Sequence, residues 1–263
     1  MILEDCQRAQ RGVIDAGGPR AGAEDCRAVP GLVSSGAAEL GISLPPDAPE
    51  IFAKYHGFLE QNRKKQNLTT ISGAEDVARL HFLDSIAILK YARFDGASVI
   101  DVGSGAGFPG APLKIARPSI RLTLLDATGK RVAFLSELCG LLGLRGVECV
   151  SARAEEAARR AGMRERYDIA VSRAVAEQRV LCELCLPLVR VGGVFIAMKS
   201  TSSDEEIARS ERAMALLGGR FRESADYMIP GSGITHRAVI IEKAHKTPGE
   251  YPRPFAKIKK TPL

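Results

Sequence analysis

Alternating glycines after a short apolar segment are the feature of this sequence that points most directly to ligand chemistry. They lie in the segment 98–110, and they are Gly103, Gly105, Gly107 and Gly110. Glycine lets the backbone adopt conformations closed to other residues and lets a ligand approach it closely. A strand, a glycine turn and a helix at the carboxyl edge of a parallel sheet form the usual place for a nucleotide-like ligand. The spacing therefore predicts a cofactor site at this loop.

Two acidic residues indicate which cofactor this is. Asp101 lies two positions before Gly103. A carboxylate at that position would attract a cationic sulfonium with an amino-acid tail, whereas it would not stabilise a pyrophosphate. Asp126 ends the next apolar segment, where it can accept hydrogen bonds from ribose hydroxyls. The pair predicts S-adenosylmethionine. Both acids could instead cap strand ends, and the spacing of Gly105, Gly107 and Gly110 also formally satisfies a dinucleotide signature, which leaves a nicotinamide-dependent oxidoreductase as an alternative.

The elements that must position these residues are short apolar strands alternating with amphipathic helices. Strands are predicted at 97–102, 121–126, 147–151, 168–172 and 194–199, and a hairpin at 220–228 and 237–243. Helices are predicted at about 112–116, 130–142, 154–161, 177–189 and 204–217. The alternation indicates a mostly parallel sheet of seven strands, covered on both faces and with an antiparallel last strand. The fold class is thus α/β and Rossmann-like.

Four regions are predicted along the chain. Residues 1–48 are rich in Gly, Ala and Ser, with a linker-like stretch at 17–22, and are expected to form a flexible extension. Residues 49–95 carry two helical patterns and should form a helical N-terminal cap. Residues 96–245 form the catalytic domain, and residues 246–263 a basic C-terminal tail.

Composition limits the function classes. The chain has 263 residues and a formal net charge of +6, which permits a nucleic-acid partner without requiring one. No apolar run suits a membrane span or a signal peptide, so a cytoplasmic protein is expected. Cys182 and Cys185 lie one turn apart within an apolar helical pattern, which favours two core residues over a redox or metal site. We expect no metal, no membrane partner and a monomer.

The order and composition of the sequence motifs resemble those of a known family, the bacterial 16S ribosomal RNA guanine-N7 methyltransferases, also called glucose-inhibited division protein B. The resemblance covers about residues 50–263, and its motifs lie at 67–69, 81–85, 101–110, 125–131, 153–155, 172–176 and 260–263. It implies a class I S-adenosylmethionine-dependent methyltransferase that acts on 16S ribosomal RNA or the small ribosomal subunit. The cofactor-binding residues it implies, together with the acids and glycines above, include Gly103, Phe108, Asp126, Ala127, Thr128, Ala154, Glu155 and Arg173.

Several of these residues have a structural alternative. Phe108 could offer its ring to the cofactor or could be a core residue. Glu155 could border the adenine or could serve as a partner of the helix dipole. His81, near Asp84 in the sequence, is expected to pair the cap with the catalytic sheet.

Arg173, after the fourth predicted strand, is the candidate catalytic residue. Its planar fork could orient guanine O6 or a phosphate, and the alternative is a structural ion pair. Because N7 of guanine carries a lone pair and no proton, direct in-line transfer without a general base is predicted. The predicted RNA-binding residues are Arg63, Lys64, Lys65, Lys130, Arg131, Lys257, Lys259 and Lys260. A methyltransferase of another substrate class, or a non-catalytic RNA-binding module with a vestigial cofactor site, stays open.

Overall fold

A seven-stranded sheet forms the centre of the molecule. The computed structural model describes residues 21–66, 68–173 and 176–263. The strands are β1 (Ser98–Val102), β2 (Arg121–Asp126), β3 (Val147–Ser151), β4 (Tyr167–Arg173), β5 (Val189–Ser200), β6 (Gly219–Met228) and β7 (Thr235–Lys243). Their order is β3-β2-β1-β4-β5-β7-β6, and β7 runs antiparallel to both of its neighbours. This confirms the predicted Rossmann-like sheet with an antiparallel last strand.

Helices cover both faces of the sheet. They are α1 (Ala21–Glu39), α2 (Ala48–Gln66), α3 (Ala74–Val77), α4 (Asp84–Ala87), α5 (Gly110–Ala116), α6 (Gly129–Leu141), α7 (Ala154–Ala157), α8 (Gln178–Cys185), α9 (Asp204–Arg209), α10 (Glu211–Leu216) and α11 (Phe255–Lys260). A π-helical turn (Ala78–Leu83) joins α3 to α4. The single helix predicted at 204–217 is interrupted at Ser210, between α9 and α10.

The N-terminal region differs from the prediction of a flexible extension over 1–48. Helix α1 packs on the cap through Val29, Val33 and Ala37, all of which are buried. Its approach depends on Gly36, because a Cβ atom there would collide with the Leu83 side chain. The sequence does not reveal this helix, since its buried residues are small and alternate with glycine and proline. Residues 1–20, including most of the predicted linker, lie outside the described residues.

The cap shares its hydrophobic core with one face of the sheet. Phe52 and Tyr55 on α2 are fully buried and pack with Phe82 of the π-helical turn, at ring-centroid distances of 4.9 and 5.1 Å. The same core includes residues of α5, α6 and β1. The boundary predicted between cap and catalytic domain is therefore crossed by continuous packing.

The predicted basic C-terminal tail is docked on the protein. Arg253 pairs with Glu183 of α8, and Ile258 of α11 is fully buried in the core of the opposite face. Arg159 and Arg164 donate to backbone carbonyls of the segment 247–252. The sequence shows only the positive charges of this segment, because Glu183, the buried partner of Arg253, is 70 residues away.

Strand register brings the candidate residues to one edge of the sheet. Asp101 pairs with Leu124 and Val171, and Asp126 pairs with Ser151, so the ends of β1 to β4 lie side by side. The turn between β6 and β7 reaches the same edge, because Ser200 pairs with His236. No helix in the described part of the chain is long and apolar enough to cross a membrane.

Candidate active site

The glycine loop between β1 and α5 is tightly bonded to the neighbouring strand. The amides of Gly103 and Ser104 both donate to the Leu125 carbonyl, at 2.8 and 3.1 Å. Gly103, Gly105 and Gly107 have φ values of 79°, 57° and 104°, a region that disfavours side chains. The backbone conformation at these three positions therefore favours glycine.

The space around the glycines distinguishes their roles. A Cβ atom on Gly105 would meet only the Gly103 carbonyl oxygen, at 3.9 Å, so this position faces open space. A Cβ on Gly107 would lie 2.5 Å from the Tyr55 hydroxyl, and one on Gly110 would lie 2.8 Å from the Asp101 carboxylate. Gly107 and Gly110 permit internal packing, whereas Gly105 leaves room above the loop for a ligand.

Asp101 lies beneath this loop and is fully buried. Its Oδ2 accepts a hydrogen bond of 2.9 Å from the Gly110 amide, while its Oδ1 has no hydrogen-bond partner among the described residues. Burial raises the pKa of Asp101 to about 7, although the Gly110 bond and the charge of Arg173 oppose the shift. The carboxylate thus bonds the first residue of α5. Its contact with a cofactor stays a prediction.

Asp126 ends β2 beside the open face of the loop. Its Oδ2 accepts from the Gly105 amide at 3.0 Å and its Oδ1 from the Thr128 amide at 2.8 Å. The Arg131 guanidinium lies 3.7 Å from Oδ2. Ala127 and Thr128 are exposed on the rim. The structure therefore brings the second predicted acid against the glycine loop and leaves the following residues open to a ligand.

The next strand places Ala154 and Glu155 on the same rim. The Ala152 amide donates to the Asp126 carbonyl at 3.2 Å, which joins the ends of β2 and β3. Glu155, in the first turn of α7, is 8% exposed, and Ala154 is half-buried. The residue two positions before Ala154 thus bonds to Asp126, and the contact of Ala154 and Glu155 with adenine stays a prediction.

Phe108 is packed inside the protein, which is the alternative the sequence left open. Its ring is 6% exposed and stacks with His81 and Tyr55, at centroid distances of 4.2 and 5.4 Å. The Arg173 guanidinium lies over it, 4.9 Å from the ring centre. Phe108 therefore joins the glycine loop to the cap.

Arg173 forms an ion pair with Asp84, which is the structural role that the sequence left open as an alternative. Its Nη1 donates to Asp84 Oδ2 at 2.9 Å and to the Leu80 carbonyl at 3.1 Å, and its Nη2 donates to His81 Nδ1 at 3.0 Å. The side chain is 15% exposed. The fork is thus committed to the cap, and a direct bond from Arg173 to an acceptor base stays a prediction.

The partners of Arg173 complete a buried polar junction between cap and sheet. Asp84 Oδ1 accepts from the Tyr227 hydroxyl at 2.8 Å and contacts His236 Nδ1 at 2.9 Å. Burial alone would raise the pKa of Asp84, but the His236 bond and the charge of Arg173 hold it below its ordinary value. Burial, together with Arg173, lowers the pKa of His81 to about 3, so this imidazole is neutral. The expected structural pairing by His81 is confirmed.

Three residues of this region escape sequence reasoning: Tyr55, Tyr227 and His236. Tyr55 shows only a helical apolar period, and its hydroxyl donates to the Ala106 carbonyl in the loop at 2.6 Å. Tyr227 and His236 come from the terminal hairpin, more than 140 residues from Asp84. Because no local pattern carries such pairings, only the fold reveals them.

The predicted RNA-binding cations lie in different settings. Arg63 pairs with Glu60 at 2.7 Å, and the side chains of Lys64 and Lys65 lie outside the described residues. Lys130 is exposed and Arg131 partly exposed beside Asp126. The three lysines of α11 are exposed, and they are Lys257, Lys259 and Lys260. Near them, the Arg153 guanidinium lies 5.7 Å from the Phe255 ring centre, which places α11 next to α7.

The cysteine pair on α8 belongs to the core. Cys182 and Cys185 are fully buried and free, and burial raises the pKa of Cys182 to about 12. Within the described ranges, no group of three or more His, Cys, Asp or Glu side chains is placed to hold a metal ion.

Comparisons with known proteins identify the family. A family model described as rRNA small subunit methyltransferase G matches residues 49–227. A Ribosomal RNA small subunit methyltransferase G of Pelotomaculum thermopropionicum is 43% identical over 232 residues, covering 88% of this chain and 97% of its own. One of Alkaliphilus oremlandii is 44% identical over 234 residues, covering 88% and 98%.

A solved structure supports the fold. The Pyocyanin Biosynthetic Protein PhzM shares 16% identity, with a TM-score of 0.51 and coverage of 72% of this chain and 62% of its own. The relatives match over nearly their whole length, and the family model spans the cap, the glycine loop and most of the sheet. The chain therefore belongs to the rRNA small subunit methyltransferase G family.

Proposed function

We propose that this protein transfers a methyl group from S-adenosylmethionine to N7 of a guanine in 16S ribosomal RNA, in the cytoplasm. Membership of the family supports methylation of small-subunit ribosomal RNA. The resemblance of the sequence motifs supports guanine N7 as the acceptor. The partner is then 16S ribosomal RNA or the small ribosomal subunit.

The observation that carries the proposal is the open face of the glycine loop. Gly105 faces free space, Asp126 ends β2 directly beside it, and beneath it one buried oxygen of Asp101 has no hydrogen-bond partner among the described residues. These features suit a ligand with a ribose on one side and a cationic centre on the other. Asp126 would hold the ribose, with Ala127 and Thr128 on the rim.

The remaining cofactor contacts follow from the same rim. Ala154 and Glu155 would border the adenine, because the end of β3 adjoins Asp126. Asp101 would offset the positive charge of the cofactor through the loop, together with Gly103 and the packed ring of Phe108. When bound, S-adenosylmethionine supplies an electrophilic methyl group on a sulfonium.

The acceptor requires little proton chemistry. N7 of guanine has an in-plane lone pair and no proton, so the protein has mainly to hold nucleophile and methyl group in line. His81 is neutral, and its Nδ1 accepts from Arg173. This hydrogen bond agrees with a mechanism in which His81 does not act as a base.

Arg173 is proposed as a positioning residue on the acceptor side. It ends β4 at the same edge as the loop, and its guanidinium joins Asp84, His81 and the Phe108 ring. Arg173 then contributes to methyl transfer indirectly, because it keeps the cap aligned with the glycine loop.

RNA binding is proposed for the exposed cations around this edge. Lys130 and Arg131 flank Asp126, and the lysines of α11 are held near α7 by the docked tail. Arg63, Lys64 and Lys65, near the end of α2, are proposed to take part in the same contact with RNA. Phosphate neutralisation by such residues should make binding fall steeply with salt.

Two measurements test the proposal. S-adenosylhomocysteine at about 100 times its Kd should stabilise the protein by about 2.7 kcal/mol in thermal unfolding, whereas NAD should not. Small subunits from a strain lacking the enzyme should then accept labelled methyl, and nuclease digestion with mass spectrometry should find it in 7-methylguanosine.

Each arm has a clear adverse outcome. Stabilisation by NAD alone would overturn the cofactor assignment. Label recovered in another nucleoside, or only in a protein or small molecule, would refute the acceptor while leaving the cofactor intact. Subunits from the wild-type strain, already methylated, serve as the matched control.

A further inference from the structure

Tyr55 on cap helix α2 makes a contact that the proposed reaction does not explain. Its ring is fully buried, and its hydroxyl donates a 2.6 Å hydrogen bond to the Ala106 carbonyl within the glycine loop. Burial raises the pKa of Tyr55 well above its ordinary value, so the hydroxyl keeps its proton and remains a donor. A residue 51 positions earlier in the chain thus bonds directly to the loop.

This contact is matched by the shape of the loop. Gly107 leaves the space that the hydroxyl occupies, since a Cβ atom there would lie 2.5 Å from it. The Tyr55 ring also stacks on Phe108, at 5.4 Å and an interplanar angle of 11°. Three consecutive loop residues therefore receive a bond, a close packing contact and a ring contact from one side chain.

The Ala106 carbonyl depends on this donor. In the described chain, no backbone amide donates to it, and Ala106 itself is 4% exposed. A buried carbonyl without a partner is costly, so a loop that loses the hydroxyl would shift to conformations that rehydrate this oxygen. Gly105, which faces the proposed ligand space, is the adjacent residue, and its φ of 57° would change with such a shift.

We propose that Tyr55 is a positioning residue of the cofactor site, which holds the glycine loop in its binding conformation from the cap. The inference rests on the proposed function, in that the loop must bind S-adenosylmethionine. The cap is then part of the cofactor site as well as a candidate RNA surface. A loop that spends less time in the binding conformation has a proportionally weaker apparent affinity.

The test uses Tyr55→Phe, which keeps the ring and removes only the hydroxyl. We expect the Kd for S-adenosylhomocysteine to rise about tenfold in calorimetry, the size expected for one buried acceptor left unpaired. The KM for the methyl donor should rise similarly, while kcat at saturating donor and the KM for small subunits should stay close to wild type. Hydrogen exchange of the peptide that spans Gly105 to Phe108 should accelerate in the free variant and return to the wild-type rate when ligand saturates it.

Tyr167→Phe is the matched control. Its hydroxyl is also buried, and it bonds Thr123 at 3.2 Å near the amino end of the sheet, away from the loop. A purely structural role for Tyr55 would lower the melting temperature of both variants and leave both Kd values unchanged, which would overturn the inference. Absence of S-adenosylhomocysteine binding by the wild-type protein would instead refute the proposed function.

Discussion

The docked C-terminal segment yields a test of whether a buried ion pair fixes helix α11 on the protein. Glu183 is fully buried, and Arg253 gives it three hydrogen bonds, from the backbone amide at 2.8 Å, from Nε at 2.8 Å and from Nη2 at 2.6 Å. Arg253→Ala removes two of these bonds and leaves a carboxylate buried without its counter-charge. Breaking such a pair costs about 3–5 kcal/mol.

Arg253→Ala cannot cost more than detachment of the C-terminal segment, because the segment would then leave the protein and Glu183 would be hydrated. Detachment of α11 would expose Ile258, which costs about 1.5–3 kcal/mol, and would break the bonds from Arg159 and Arg164. The two routes have similar cost, so we expect Arg253→Ala to lower the free energy of unfolding by about 3 kcal/mol, or to free the tail to proteolysis at a similar cost. For a chain of this size that corresponds to a fall of roughly 6–12 °C in Tm.

The decisive measurement is whether a second substitution raises or lowers the free energy of unfolding of Arg253→Ala. Adding Glu183→Gln to Arg253→Ala removes the stranded charge, so the double variant should be more stable than Arg253→Ala in urea unfolding. Arg220→Ala, which breaks a largely exposed pair with Glu242 of similar length, 2.7 Å, should change stability too little to resolve. If the double variant is less stable than Arg253→Ala, the charge is not buried as described and the reasoning fails.

Four further outcomes follow from the site. Burial raises the pKa of Asp101 from 3.8 to about 7, so its contribution to stability is lost as pH rises through about 7; Asp101→Asn should therefore stabilise the free protein more at pH 8 than at pH 5 in urea unfolding, and an equal effect at both would contradict this. Gly105→Val should abolish S-adenosylhomocysteine binding in calorimetry, while circular dichroism shows an intact fold, and unaltered binding would remove the loop from the site. Arg173→Ala should strand Asp84, lower stability by about 3 kcal/mol in urea and slow single-turnover methyl transfer strongly, with poor rescue by lysine, whereas full activity would exclude Arg173. Since burial lowers the pKa of His81 to about 3, the transfer rate of Asp101→Asn, which lacks the loop carboxyl that titrates near 7, should show no step near pH 6.5, and a step there would indicate a base.

The sheet could be predicted from the sequence because its signals are local. Strands β2 and β3 have the predicted bounds, since each is a short segment that carries apolar residues between polar turns. The glycine spacing likewise predicts a loop whose φ values are positive at Gly103, Gly105 and Gly107. Such features depend on neighbouring residues, and sequence order displays them directly.

The parts that the sequence could not predict depend on partners far away in the chain. Helix α1 has a weak apolar period and is stabilised by packing against the cap. The tail looks like a solvated basic run until Glu183, hidden in an apolar helix, is placed beside Arg253. Arg173 has an exposed-looking position after a strand, yet its fork is filled by Asp84 and His81.

These long-range contacts change how the motif residues act. Asp101 and Phe108 come from the most informative motif, but their described contacts are with the loop itself and with the cap. A substitution at either residue would therefore alter loop geometry before it altered any ligand contact. Loss of activity on substitution by alanine cannot separate a change in loop geometry from the loss of a ligand contact, because both weaken binding. Substitutions that keep shape and remove one polar group, such as Asp101→Asn, do separate them, since packing is retained and only a charge or a hydrogen bond is lost.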